Sequence, residues 1–401
     1  MMMKKYNKIG LVLILIGQMV MGHACSSGIE DELTIKKDPD RYETSNPDPD
    51  PDPEPNPSQA KPLPQELAEI ARSNNIPGVQ IAHIKGDQVD SYVYGVADIA
   101  SGTPVREDHL FQAASISKTV ATYAFLRLYD KGVFDLDVPL NQYYIYDRVA
   151  RANNPKNDLV TARHVLAHLT GYPNWVMDAN TLAWRNSVLE PGAAYTPGVD
   201  YRYSGEGFTY LQEVLKHLTG KSLQQIAKEE VFDPFGMAST SYQWESTFAG
   251  KNTIGHTVTD GVLRMMTGWG MMGYTQNGAN SAYSMLTNAK DFAKFVKRGL
   301  IDGEGLKPET YALLSTTITW SNGVNNPNMS RGLGMVIHNN EKGMSLYHSG
   351  SNPGYIAYCI AYPDLDEGLV VFTNGNPEGR AMGGSAFSFF LGADQTFHMF
   401  E

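Results

Sequence analysis

Gln112-Ala-Ala-Ser115-Ile-Ser-Lys118-Thr119 opens a stretch with helical spacing that runs to Lys131, with Phe125, Leu126 and Tyr129 on one apolar face and Gly132 as its stop. A spacing of three puts Ser115 and Lys118 on one helical face, within mutual reach. A serine hydroxyl is a poor nucleophile until a base takes its proton. A neighbouring lysine becomes that base when desolvation or a nearby cation lowers its pKa, and a helix N-terminus favours the negative charge that develops there. Ser-x-x-Lys alone is a weak signal, and the chain repeats it at Ser58-Gln-Ala-Lys61. Position separates the two copies, because the second lies in a proline-rich stretch that reads as solvated and structureless.

Two later segments carry groups that complement the first. Tyr201-Arg-Tyr203-Ser-Gly205 follows Thr196-Pro-Gly-Val-Asp and precedes a helical run, which places Tyr203 on a loop between elements. A tyrosine whose phenolate is stabilised by a nearby ammonium can relay a proton from nucleophile to leaving group. His348-Ser349-Gly350-Ser351 lies on or beside a strand, where a glycine lets a substrate backbone approach and a main-chain N–H can meet an oxyanion.

Around these segments the pattern is mixed. A helix is expected from Pro64, then a hairpin from Gly78 to Ala97 about Lys85-Gly-Asp. Further helices fit Ala162 to Leu169, Phe208 to Leu218, Leu223 to Val231 and Ala289 to Arg298, and strands fit Ser345 to His348, Tyr355 to Ala361 and Gly368 to Thr373. Strands at both ends with helices between predict an α+β fold: an antiparallel sheet built from the N- and C-terminal segments, with a mainly helical region inserted.

With 401 residues, 42% hydrophobic and 19% charged, the chain can bury a large core. Its net charge is −11, of which residues 61 to 401 carry −7, so nucleic acid is not expected as a partner. Cys25 and Cys359 are too few and too differently placed for a disulfide framework or a cysteine-rich metal site. Lys4, Lys5 and Lys8 precede the apolar run Ile9 to Val20, followed by Gly22, Ala24 and Cys25, the order of a secretory signal. The placement of Cys25 resembles a bacterial lipoprotein signal whose cysteine is lipidated, although Gly22 stands where a larger aliphatic residue is usual. Nine of the 22 prolines lie between Pro39 and Pro64, which makes an extended, semi-rigid tether. The expected organisation is signal peptide 1–24, lipidated linker 25–63 and a hydrolase domain 64–401. The expected location is outside the bacterial inner membrane, anchored to the inner or outer membrane and facing the periplasm or cell surface.

Ser115-x-x-Lys118, then Tyr203-Ser-x, then His348-x-Gly350, spaced by about 85 and 145 residues, is similar to the three-motif pattern of the serine β-lactamase and penicillin-binding superfamily, in its class C-like branch. Leu159 to Pro173, Val231-Phe-Asp-Pro-Phe-Gly-Met-Ala-Ser-Thr240 and Arg331-Gly-Leu-Gly334 resemble the family's flanking segments. The resemblance implies an acyl-enzyme cycle on an amide or ester: Ser115 as nucleophile, Lys118 and Tyr203 moving its proton, and the N–H groups of Ser115 and Ser351 as oxyanion hole. His348, Ser349, Gly350 and Gly205 would contact the substrate, and no metal or cofactor is required. Dedicated class C β-lactamases usually have asparagine where this chain has Gly205 and lysine where it has His348. Both changes remove substrate-gripping groups and favour a peptidase or esterase, on a D-amino-acid peptide or small ester, over a β-lactamase or DD-carboxypeptidase.

Readings from other classes are weaker. His164-Val-Leu-Ala-His168 has the i, i+4 spacing of a zinc pair but lacks the adjacent glutamate and a clear third ligand. Gly-x-Ser-x-Gly is absent from the sequence, which argues against an α/β-hydrolase. A non-catalytic binding lipoprotein is the remaining alternative. Met265, Met266, Met271 and Met272 beside Trp269 are read as core packing, and Cys359 as buried. The expected partner is a small molecule or peptide, including peptidoglycan-derived ones, bound by a monomer.

Overall fold

The structure, a computed structural model, describes residues 60–177, 182–259, 261–265, 278–321 and 329–392. The signal segment, Cys25, the Asp-Pro tether and Met266, Trp269, Met271 and Met272 lie outside these residues.

Strand β1 (Lys61–Pro62) precedes helix α1 (Gln65–Ser73), whose N-cap is Pro64. Lys61 and Pro62 pair in parallel with Tyr92 and Val93, and Lys61 Nζ sits 2.9 Å from Asp90. The second Ser-x-x-Lys copy is therefore not structureless at its lysine, which a carboxylate already engages.

The predicted hairpin is β2 (Gly78–Lys85) and β3 (Gln88–Asp98), turning at Gly86 with φ 59°. Two short strands follow, β4 (Thr103–Pro104) and β5 (Phe111–Gln112), and then α2 (Ser117–Asp130). The middle of the chain is largely helical, with β6 (His256–Thr259) and β7 (Val262–Met265) forming a small hairpin and β8 (Leu286–Thr287) pairing with β5. The C-terminal part supplies β9 (Met329–Arg331), β10 (Val336–Asn340), β11 (Gly343–Asn352), β12 (Tyr355–Tyr362), β13 (Glu367–Thr373) and a closing helix, Arg380–Leu391.

The main sheet runs β1-β3-β2-β13-β12-β11-β10-β9, with β4 added on β3. Its N- and C-terminal parts meet at the antiparallel β2–β13 pair, where Ile84 opposes Gly368 and Val79 opposes Thr373. Both faces are covered, so β2 is buried almost throughout rather than alternately. Val79 and Ile81 pack with α1 and the Arg380–Leu391 helix, while Ala82 and Ile84 face the larger core under the inserted helices. The α+β architecture with a helical insertion is as the sequence predicts.

Helix ends differ from the expected ones for local reasons. The helix starting at Ala162 stops at Leu166 rather than Leu169, because His168 adopts φ 58°. The helices beginning at Leu223 and Ala289 pass into wider π turns at Lys228–Phe232 and Val296–Ile301.

Candidate active site

A tight turn at Ala114–Ile116 leads into α2 and carries Ser115. From Phe111 to Val120 every residue is buried except Ser115, which is half-exposed. Ala114, immediately before it, holds φ 49°, a left-handed conformation that an alanine adopts only under constraint from its surroundings. The constraint is visible at Ser117, two residues past Ser115. Ser117 accepts a hydrogen bond from Met285 N–H at its Oγ (3.1 Å) and one from the Tyr242 hydroxyl at its carbonyl (2.6 Å).

Lys118 lies one turn below. Its side chain is 1% exposed, its Nζ is 3.3 Å from Ser115 Oγ, and it donates to the Ala282 carbonyl at 2.8 Å. No carboxylate is among these partners. Burial, followed by the positive charge of Arg331, holds the amine well below the usual lysine pKa. An amine whose proton is held weakly, within reach of a half-exposed hydroxyl, is the arrangement a proton acceptor needs.

Tyr203 sits on the coil before the helix Gly205–Thr219. Its ring stacks on His168 at 4.3 Å between centroids, Lys118 Nζ lies 4.8 Å from the ring centre, and the Arg331 guanidinium lies 5.7 Å from it. His168 is fully buried and accepts a hydrogen bond at Nδ1 from Ser204 N–H, so the positive φ that ends the preceding helix also aims this ring at Tyr203. Burial and the nearby cations push its pKa well below the ordinary histidine value. Arg331, on β9, also lies over Tyr201 at 5.1 Å.

The third segment arrives on β11. Pairing with β10 ends at Tyr347, opposite Val336, so the edge from His348 to Ser351 lies beyond that partner strand. Instead it faces the Ser115 turn: a Cβ on Gly350 would come within 2.6 Å of the Ala113 carbonyl and 3.0 Å of Ser115 N. Only glycine lets the two backbones approach this closely. His348 is 4% exposed, with its ring 6.4 Å from that of Tyr203. Nδ1–H donates to the Ser349 carbonyl at 2.6 Å, which leaves Nε2 as the lone-pair nitrogen, buried and without a hydrogen-bond partner among the described residues. Burial, then Arg331 and Lys118, pushes its pKa down to about 3, so the ring is neutral at pH 7.

Strand alternation separates the side chains of the same segment. Tyr347 packs on Phe387 of the C-terminal helix, and Ser349 stands on that side beside the Tyr347 hydroxyl. Ser351 Oγ accepts from Asn376 Nδ2 at 3.0 Å. Neither serine brings its hydroxyl to Ser115, so only their backbone remains for the site.

Gly205 opens its helix against an aromatic wall. A Cβ there would fall 2.5 Å from Cζ2 of Trp175, whose ring stands edge-on to Tyr283 at 5.5 Å between centroids. The next residue, Glu206, is fully buried and paired with Arg148 through two hydrogen bonds (2.6 and 3.0 Å). It also accepts from Val176 N–H at 3.0 Å and Trp184 Nε1 at 2.8 Å.

The structure thus gathers Ser115, Lys118, Tyr203, His348, Gly350 and Gly205, from segments over 230 residues apart, into one place. Sequence reasoning gave no role to Arg331, His168, Trp175 or the Ala282 carbonyl. In the sequence Arg331 and His168 stand only within flanking segments or a zinc-like pair, and nothing marks the other two. The zinc spacing has a different use here: His164 Nδ1 accepts from Thr161 N–H, closing the cap of its own helix, while His168 lies beyond the helix end.

A family model described as Beta-lactamase matches residues 63–386. Protein flp of Staphylococcus aureus (strain MW2) is 22% identical over 319 residues, covering 77% of this chain and 61% of that protein. Esterase EstB of Burkholderia gladioli is 26% identical over 188 residues, covering 42% of this chain and 47% of the esterase. The chain therefore spans less than two thirds of the length of these curated relatives. Among solved structures, D-amino acid amidase from Ochrobactrum anthropi SV3, complexed with L-phenylalanine amide, superposes with a TM-score of 0.63 at 23% identity, covering 78% of this chain and 90% of that one. This last likeness is one of fold.

Proposed function

Since the chain belongs to the beta-lactamase family, we propose that it is a serine hydrolase that opens amide or ester bonds through an acyl-enzyme on Ser115. The observation that carries this reading is the buried Lys118 amine 3.3 Å from the half-exposed Ser115 hydroxyl.

Ser115 Oγ attacks the substrate carbonyl and gives its proton to Lys118 Nζ, 3.3 Å away. Tyr203, beside both Lys118 and Arg331, passes a proton to the leaving amine or alkoxide. The carbonyl oxygen, now an anion, lies between the N–H groups of Ser115 and Ser351, an arrangement favoured by the close approach of Gly350 to the nucleophile turn. Water then attacks the acyl carbon, loses a proton to the same relay and frees Ser115. A neutral His348 supplies no permanent charge for a substrate carboxylate, which favours peptidase or esterase substrates over β-lactams.

Incubating the full-length protein and its Ser115→Ala variant with a fluorophosphonate, a penicillin, a p-nitrophenyl ester and a D-Ala-D-Ala peptide tests the reading by intact mass and turnover. A Ser115-dependent adduct with turnover of the ester or peptide supports it. Rapid turnover of penicillin assigns a β-lactamase instead, and no adduct with any compound leaves a binding protein. The reading also takes Cys25 as a lipid anchor that holds the enzyme outside the inner membrane; a membrane fraction unchanged by Cys25→Ala would remove that part.

A further inference from the structure

Position 205 is two residues past Tyr203, and its N–H donates to Asn174 Oδ1 at 2.9 Å. The space in front of its Cα is already filled by the Trp175 indole, so no side chain at 205 can project into the site while that ring stays where it is. The ring is held from behind. Ser204 Oγ donates to the Pro173 carbonyl at 2.8 Å, Glu206 N–H donates to the Asn174 carbonyl at 3.1 Å, and the Glu206 carboxylate takes Val176 N–H. Residues 173–176 are thereby stitched to the start of the Gly205–Thr219 helix.

The other member of the wall is tied to the catalytic residues. Tyr283 follows Ala282, whose carbonyl receives the Lys118 hydrogen bond, and the Tyr283 carbonyl lies 3.4 Å from Asn352 Nδ2, one residue beyond Ser351. Val176 and Met177, 38% and 41% exposed, continue the apolar surface outward from Trp175. The indole and the phenol ring, packed edge-on, present carbon to whatever lies against them, and an acyl amide brought there would lose its water without regaining hydrogen bonds from either ring face.

We infer that Trp175 and Tyr283 form the acyl-side wall of the site and select substrates whose acyl group carries an aryl or alkyl substituent over those that carry an acylamino group. This rests on the hydrolase reading and names the substrate class for it. Aromatic packing favours the first class, while desolvation of an unpaired amide disfavours the second.

The test compares kcat/KM of the full-length protein for the p-nitrophenyl esters of phenylacetic acid and N-acetylglycine, each normalised to its spontaneous hydrolysis. The wild type is expected to prefer phenylacetate by about tenfold or more, since the aryl group gains ring contacts and the acetylglycyl amide is left unpaired. Trp175→Ala should lower that ratio about tenfold, and Trp175→Leu, which keeps bulk if alanine unfolds the loop, should lower it less but in the same direction. Adding Gly205→Asn to Trp175→Ala should move the preference further towards the acetylglycyl ester. A wild-type preference for the acetylglycyl ester, or a ratio that neither Trp175 variant moves, overturns the inference while leaving Ser115 labelling intact. Loss of fluorophosphonate labelling in the wild type itself would remove the hydrolase reading and this inference together.

Discussion

Lys118 reaches Ser115 from a position where it has one backbone acceptor, the Ala282 carbonyl, and no carboxylate among its described hydrogen-bond partners. Burying an amine in this way costs stability below its unfolded pKa, because the fold lowers that pKa and binds the proton less tightly than the unfolded chain does. Lys118→Met should therefore melt at a higher temperature than the wild type while losing about 10²–10⁴-fold in kcat/KM, the usual contribution of a positioned proton acceptor. Equal loss of stability and activity would mark Lys118 as structural.

Arg331 tests the electrostatics of the same pair. Its charge lowers the Lys118 pKa after burial has done so, and removing it lets that pKa rise. Activity that needs the neutral amine appears only above this pKa. In Arg331→Met the acid limb of the pH profile of kcat/KM should accordingly move to higher pH, with the activity above it partly retained. A limb that stays in place would assign it to another group.

The buried histidines set the response of the whole fold to acid. Folding lowers His348 to about 3 and His256 to about 4, from 6.5, so between pH 6.5 and about 4 the unfolded chain binds protons that the folded chain refuses. Stability should be full above pH 6.5 and fall as pH drops through this window. Urea midpoints at pH 7 and 5 should differ less for His348→Asn than for the wild type. An unchanged difference would show that His348 does not stay neutral in the fold.

Glu206 holds four groups at once, two of them the nitrogens of a guanidinium that is itself 1% exposed. Glu206→Gln leaves Arg148 buried without a counter-charge and should cost about 3–5 kcal/mol in denaturant unfolding. Because the new amide NH2 would face Arg148 Nη1, donor against donor, the segment that Glu206 holds at Val176 should shift, and fluorophosphonate labelling of Ser115 is expected to become less selective between acyl-like probes. A loss under 1 kcal/mol would mean that water reaches Arg148.

Periodic features were legible in the sequence. The hairpin about Lys85-Gly-Asp, the helix after Ser115 and the late strands follow patterns of two and 3.6 residues, and the three reactive segments stand out by residue type. What escaped depends on contacts between distant segments. His168 is aimed by a single left-handed residue at a helix end, and Arg331 matters because of where β9 ends. Ser349 is expected from the motif to contact substrate, but strand alternation turns its side chain towards Tyr347, while the expectation for Ser351 concerns only its main-chain N–H. Trp175 is invisible as a wall until the missing Cβ of Gly205 is seen beneath it.

The seam between β2 and β13 also sets a schedule. Synthesis delivers Ser115, Lys118 and Tyr203 in the first half of the chain or close to it, but the strand that joins the two parts of the sheet begins only at Glu367. A chain made only as far as Tyr362 has the nucleophile turn and β11 but lacks the strand that joins β12 to β2. The two parts of the sheet therefore become one surface only after β13 exists to lie between β12 and β2.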